Sequence, residues 1–252
     1  MRLSYDLTGA EEIQRDVPVY DASATAAFVI GELLMLGTTD PDSTTDGKTA
    51  FVTAYASGST CAVRALGICM ETVVDGTGVI TSTNGYAYAK AIINPYAIYK
   101  CEYSQDDGFA VTSSSTTTLT IASNEDDIDG SWIFVVTGSP TANAGSLRLL
   151  RTGTTSVNVM DSALPSTDTG STIIRILRVN HALTQLNTAG TKLISTAAAG
   201  AAVQLRIIEN YVRSNSAGGV IPLRPATHKG LNSLTNAKFY ADIAMLSHVY
   251  KV

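Results

Sequence analysis

"EDDIDGSWIFVVTGSPTANAGSLRLLR", running from Glu125 to Arg151, opens with a knot of carboxylates, passes into an apolar run led by Trp132, turns through Gly138 and Gly145, and ends in a run that carries Arg148 and Arg151. Short apolar runs separated by Gly, Pro and Ser clusters are the pattern of strands joined by tight connections. "SWIFVVTG", "GSLRLLRTG" and "TSVNVMD" follow one another at about ten-residue spacing, which predicts a small meander or barrel. The same texture runs through the rest of the chain. "TAFVTAYA", "CAVRALGICMETVV", "TSSSTTTLTIAS", "TIIRILRVNHAL", "AAVQLRIIENYV" and "AKFYADIAMLSHVYKV" are rich in β-branched and aromatic residues. Asp-Gly or Asn-Gly pairs at 46–47, 75–76, 84–85, 107–108 and 129–130 add a hairpin signal. The expected fold is mainly β, with a β-sandwich or barrel-like core and a small inserted or appended β module.

The boundaries follow from composition. Residues 1–16 are polar and aperiodic and read as an N-terminal arm able to cross to a neighbouring subunit. Residues 17–105 read as a β domain, 106–165 as a Ser/Thr-rich β module, and 166–252 as a C-terminal β segment packing with the 17–105 domain. In "GYAYAKAIINPYAIYKCEYS", Pro95 breaks the run and predicts an extended edge strand interrupted there. The end of the chain is expected to pair with an early strand. Arg175 and Arg178, three residues apart, leave a helical alternative open at that point.

Charged residues make up 15% of the chain, well under the roughly 25% of an average soluble domain, and mean hydropathy is +0.15. Ser, Thr, Ala and Gly fill the gap, a composition suited to surfaces that other protein covers. The basic residues are scattered and the net charge is −5, which argues against a nucleic-acid partner. No apolar run reaches membrane-spanning length, and the first residues lack the apolar stretch of a secretion signal. Cys61, Cys69 and Cys101 have no CxxC spacing and read as reduced, packed thiols.

Catalytic patterns are missing. His181, His228 and His248 stand far apart, and neither a G-x-S-x-G elbow nor a P-loop is present. No cofactor is expected, and the chain does not read as an enzyme. The acidic knot places Glu125, Asp127 and Asp129 at positions 1, 3 and 5 of an EF-hand register with Gly130 at position 6. Position 12, which needs a bidentate Glu, is Val136. These three carboxylates are the only metal candidates, and a solvated acidic turn that starts the Trp132 strand accounts for them better. Tyr86, Tyr88, Tyr96, Tyr99 and Tyr103 cluster in one segment, and with Trp132 and Arg148 they are the expected interface residues, since aromatic and Arg side chains are enriched where proteins meet.

The pattern "STTTLTIASNEDDIDGSWIFVVTGSPTANAGSLRLLR" resembles a small β module of tailed-bacteriophage virion structural proteins, matched here at Asp127, Asp129, Gly130, Trp132, Gly138, Gly145 and Arg148. "VIGELLML" with "CAVRALGICMETV" is similar to the Gly-led β unit of phage head decoration, or cement, proteins. The insert "SPTANAG" is longer than that pattern has, and the Arg run after Gly145 is reduced to Arg148 and Arg151. The resemblance implies a protein made in the host cytoplasm and carried on the capsid surface of the virion. It also implies the major capsid protein and further copies of the chain, in a trimer, as partners. A tail, neck or adaptor protein and a host-surface glycan-binding module are the alternatives.

Overall fold

A computed structural model describes residues 1–6, 14–19, 29–36, 52–54, 65–71, 87–106, 108–121, 128–152, 157–168, 170–187, 190–194, 205–215 and 217–246. The fold is mainly β, as the strand texture predicts. The first strand, β1 (Arg2–Asp6), is the edge of a six-stranded sheet. Strands β2 (Gln14–Val19), β3 (Leu33–Leu36), β4 (Val52–Ala54), β5 (Ala65–Cys69) and β6 (Ala87–Ile92) then close into a five-stranded barrel in the order β2-β4-β3-β5-β6. The chain returns to the sheet as β7 (Ala97–Glu102).

A second barrel follows, made of β8 (Phe109–Ser114), β9 (Thr118–Ile121), β10 (Trp132–Thr137), β11 (Leu147–Thr152), β12 (Val157–Met160) and β13 (Thr172–Leu177). Its order is β10-β11-β12-β9-β8-β13, closed and antiparallel throughout. β10, β11 and β12 are a meander, and β13 returns to lie beside β10, which is a Greek key. The sheet is completed by β14 (Leu183–Thr184), β15 (Leu205–Arg213), β16 (Ile221–Pro222) and, after the one-turn helix α1 (Pro225–His228), β17 (Lys238–Met245). Its order is β1-β7-β17-β15-β14, with β16 on β15. Among the described residues, no helix is long and apolar enough to cross a membrane.

Strand periodicity explains how the parts join. Along β10, Ile133 and Val135 point into the barrel with Leu119, Leu150, Ile174 and Ile176. The alternate residues Trp132 and Phe134, with Leu147 and Leu177, point outward. That outer face packs on the apolar face of the sheet, which supplies Tyr99, Cys101, Tyr103, Leu205, Ile207, Val212, Phe239, Ala241 and Ile243. Phe134 and Phe239 meet across the seam as a tilted pair, with ring centroids 4.7 Å apart and 55° between the ring planes, within the separation at which aromatic pairs attract. Leu33, Ala65, Ile68 and Ile92 of the first barrel join the same cluster. Polar ties flank the seam. The Tyr103 hydroxyl donates to Asn210 Oδ1 at 3.0 Å, and Asn210 Nδ2 donates to the Arg178 carbonyl at 2.6 Å.

Several expectations are corrected here. Residues 2–6 are a paired strand: β1 runs antiparallel to β7, with Arg2 opposite Lys100 and Asp6 opposite Ala97. Residues 14–16 begin β2, which pairs with β6. The first sixteen residues are therefore not a free arm over these stretches, because their backbone groups are spent on the chain's own strands. A module boundary at 165 would cut the second barrel, since β13 closes it. The connection from β12 to β13 is the Greek-key return. Pro95 does break the Tyr-rich run, but neither half is an edge: β6 lies between β2 and β5, and β7 between β1 and β17. The Asp129-Gly130 pair does not make a hairpin, because β9 and β10 on either side of it are not neighbours. Gly130, at φ +74°, instead starts β10 and donates its amide to the Leu150 carbonyl. β17 pairs with β7, as the expected return to the earlier part of the chain requires. Arg175 and Arg178 lie in and just beyond strand β13, which closes the helical alternative.

Gly67 in β5 marks a tight approach of β5 to β6. A Cβ there would sit 2.0 Å from the Ile92 carbonyl oxygen of β6, and backbone cannot yield as a side-chain tip can. Gly67→Ala is expected to lower stability by about 1–3 kcal/mol, the range for overpacking a closed core. Urea unfolding of the variant beside the parent chain measures it, and equal midpoints would show that β5 and β6 can part at no cost.

Candidate interaction surface

The second face of the sheet carries a polar array that three strands build by alternation. β7 contributes Lys100 and Glu102, β17 contributes Lys238, Tyr240 and Asp242, and register sets Lys100 opposite Asp242 and Glu102 opposite Tyr240. β15 contributes Glu209, Tyr211 and Arg213, and here a β-bulge decides the outcome. Ile207 pairs with Ile243, but Glu209 pairs with Asp242, so Ile208 is an extra residue. Before the bulge the odd-numbered residues Leu205 and Ile207 face the core, and after it the even-numbered Asn210 and Val212 do. The inserted residue thus turns Glu209, Tyr211 and Arg213 to the outer face, the re-aiming that bulges achieve.

At the centre of this face Asp242 is buried and doubly held. Lys100 Nζ lies 2.7 Å from its Oδ1, and the Tyr211 hydroxyl donates to its Oδ2 at 2.6 Å. Lys100 Nζ also sits 3.3 Å above the centre of the Tyr211 ring, a cation–π contact. The Tyr211 hydroxyl lies 3.2 Å from Glu209 Oε2, and Arg224 pairs with Glu209 Oε1. Toward the far end Lys238 meets Glu102 at 3.4 Å, and the Arg213 guanidinium stacks 5.8 Å from the Tyr240 ring. Burial, and then the bonded and neighbouring Asp242 and Glu209 carboxylates, push the Tyr211 hydroxyl above its ordinary range. It stays protonated at neutral pH, and its proton is already committed to a carboxylate. The array is an ion-paired, Tyr-backed plate, half-exposed at its rim through Glu209, Arg213, Lys238 and Tyr240 and open at Arg224.

The residues expected at an interface fall elsewhere. Tyr99 and Tyr103 are fully buried in the shared core, and Trp132 is buried on the barrel's sheet-facing side. Arg148 is 1% exposed. Its guanidinium donates to the carbonyls of Ser162, Ala163, Leu147 and Leu231 and to Asn232 Oδ1, at 2.6–3.1 Å. It ties β11 to the Greek-key return and to the loop before β17, and desolvation lowers its pKa. These four residues hold the chain together and offer no surface to a partner, which corrects the interface assignment. Tyr96, on the turn between β6 and β7, is 47% exposed. Tyr88 lies in β6, and Tyr86 lies outside the described residues.

Of the carboxylate candidates, Glu125 and Asp127 also lie outside the described residues, and Asp129 is exposed. Among the described residues, no three His, Cys, Asp or Glu side chains come together as a metal site. His181 occupies the left-handed region at φ 72° in an exposed turn, and His228 Nδ1 accepts the Arg224 amide. His248 and Cys61 are outside the described residues. Cys69 and Cys101 are free, buried thiols, and burial pushes Cys101 up to about 12. No protein-family model, curated protein or solved structure matches this chain. A signal for the polar plate is present in the sequence all the same. "KFYAD" and "ENYVR" each place a charge, a Tyr and a charge two residues apart.

Removing Lys100 strands a buried carboxylate. Lys100→Met is expected to cost about 2–3 kcal/mol, below the roughly 3–5 kcal/mol of a fully buried pair because the ammonium keeps a solvated edge. Tyr211→Phe, which removes one hydrogen bond, should cost about 1–2 kcal/mol. The double change Lys100→Met with Asp242→Leu should recover most of the first loss, and denaturant melts of the three variants test the ranking. Stability should also fall as pH rises above about 10. Tyr103 and Tyr211 are both raised in the folded chain, so their contribution is complete below the unfolded tyrosine pKa and is lost as pH climbs through the folded values. Tyr103→Phe with Tyr211→Phe should flatten that alkaline limb in melts taken across the range.

Proposed function

We propose that the chain is a structural subunit of a tailed-bacteriophage virion, a decoration or cement protein that sits between major capsid subunits and stabilises the shell. The observation that carries this reading is the outer face of the sheet. It is a broad plate of Tyr, Arg, Lys and carboxylates set on three adjacent strands and backed by a core continuous with two barrels. A plate of this kind suits a flat protein partner, because Tyr and Arg at a half-exposed rim are the side chains that interfaces favour, and its central charges are already paired. The strand-on-strand frame loses little entropy on docking, which favours binding by a preformed surface. The low overall charge supports a molecule whose surface is largely covered in its working state. A modest interface on each copy gains strength because a symmetric shell repeats it and simultaneous contacts act together.

Cryo-electron microscopy of the intact particle, with the chain located by labelled antibody, tests the reading. The expected result is repeated density at the seams between capsomers, with the chain in trimers there and in sedimentation of the purified protein. Label confined to the tail, or absent from the particle, would remove the head assignment, and a strictly monomeric chain would remove the self-associating one.

A further inference from the structure

At the far end of the polar plate the strands β15 and β17 leave a hollow of about 300 Å³, lined by Arg213, Ser214, Asn215, Asn236 and Lys238. Among the described residues, every lining side chain carries a hydrogen-bond donor and none is acidic. Arg213 and Lys238 are direct cross-strand partners in the register, so two cations face each other across one antiparallel pair. Like charges in that position repel and destabilise the pair unless something offsets them. The nearest offset is partial: Lys238 meets Glu102 at a long 3.4 Å. Arg213 Nε is buried and has no hydrogen-bond partner among the described residues. The Asn215 side chain turns its Oδ1 to the amides of Ala217 and Gly218, which leaves its NH₂ to donate.

We infer that this hollow binds an oxyanion, the phosphate group of a small phosphate monoester. The charge balance asks for an anion, and a guanidinium beside an ammonium matches phosphate oxygens. Five donor-bearing residues exceed what the two oxygens of a carboxylate use well and suit a tetrahedral group with three free oxygens. A volume at the lower end of small-molecule sites leaves room for a short organic portion beyond the phosphate. The inference is independent of what covers the sheet face, because it rests on the paired cations and the hollow alone.

Isothermal titration calorimetry of the full chain at constant ionic strength tests it, with inorganic phosphate, glycerol phosphate, sulfate and malonate as separate titrants against chloride. Saturable one-site binding of phosphate and glycerol phosphate is expected, with a Kd of about 1 mM or tighter. Tighter binding of glycerol phosphate would place the organic portion in the hollow, and equal binding would assign the site to the phosphate alone. Arg213→Gln and Lys238→Gln should each weaken binding about tenfold or more, the effect of losing one charge-assisted contact. Asn236→Asp, which keeps the shape and adds a negative charge, should do the same with an unchanged circular dichroism spectrum. The inference fails if the parent chain shows no saturation with phosphate or its ester at about ten times that concentration. It fails too if malonate binds and phosphate does not, or if folded variants bind as the parent does.

Discussion

The structure depends on one shared apolar seam. The second barrel is closed and fills its interior with one set of alternate residues, yet its other set includes Trp132, Phe134, Leu147 and Leu177, which cannot face water without cost. The sheet has the converse need, since Tyr99, Tyr103, Phe239 and Ile243 require a cover. Each part supplies what the other lacks, and residues of the first barrel enter the same cluster. The three strand assemblies are therefore bound into one body although each has its own hydrogen-bonded network.

That seam also explains where polarity goes. A sheet covered on one face must place its charged residues on the other, and β7, β15 and β17 do so through strict alternation in two strands and a bulge in the third. Without Ile208 as an extra residue, Tyr211 and Arg213 would point toward the seam and Val212 away from it. The bulge therefore decides that there is a polar plate at all. Its central charges neutralise one another, with Asp242 held by Lys100 and Tyr211. Its end does not, because Arg213 and Lys238 stand opposite each other over a hollow. A paired centre beside an unbalanced cationic end thus gives one surface two electrostatic characters.

The buried arginines show how composition misleads about interfaces. Arg148 sits in a chain with few charges, in a segment whose sequence opens with carboxylates, and its residue type favours a surface. It is instead enclosed by carbonyl oxygens from three segments, a role for which the planar fork of five donors is suited. The clustered tyrosines divide in the same way. Tyr99 in β7 and Tyr103 just beyond it share a parity that faces the barrel, while Tyr96 lies on a turn outside that alternation. Neighbours in sequence were never one group in space.

Much was legible in the residues alone: the mainly-β class, the short strands from Trp132 to Met160, and the break at Pro95. These follow from local rules, since side-chain alternation, β-branching and the rigidity of proline act within a few residues of themselves. The partners of each strand, the incorporation of residues 2–6 into the sheet, and the face on which each tyrosine lies were not legible. Alternation divides a strand into two faces without saying which is covered, and a one-residue insertion such as Ile208 exchanges them. Only the packing of the second barrel against one side of β7, β15 and β17 settled that choice, because burying the apolar side leaves the charged side as the sole surface the sheet can present.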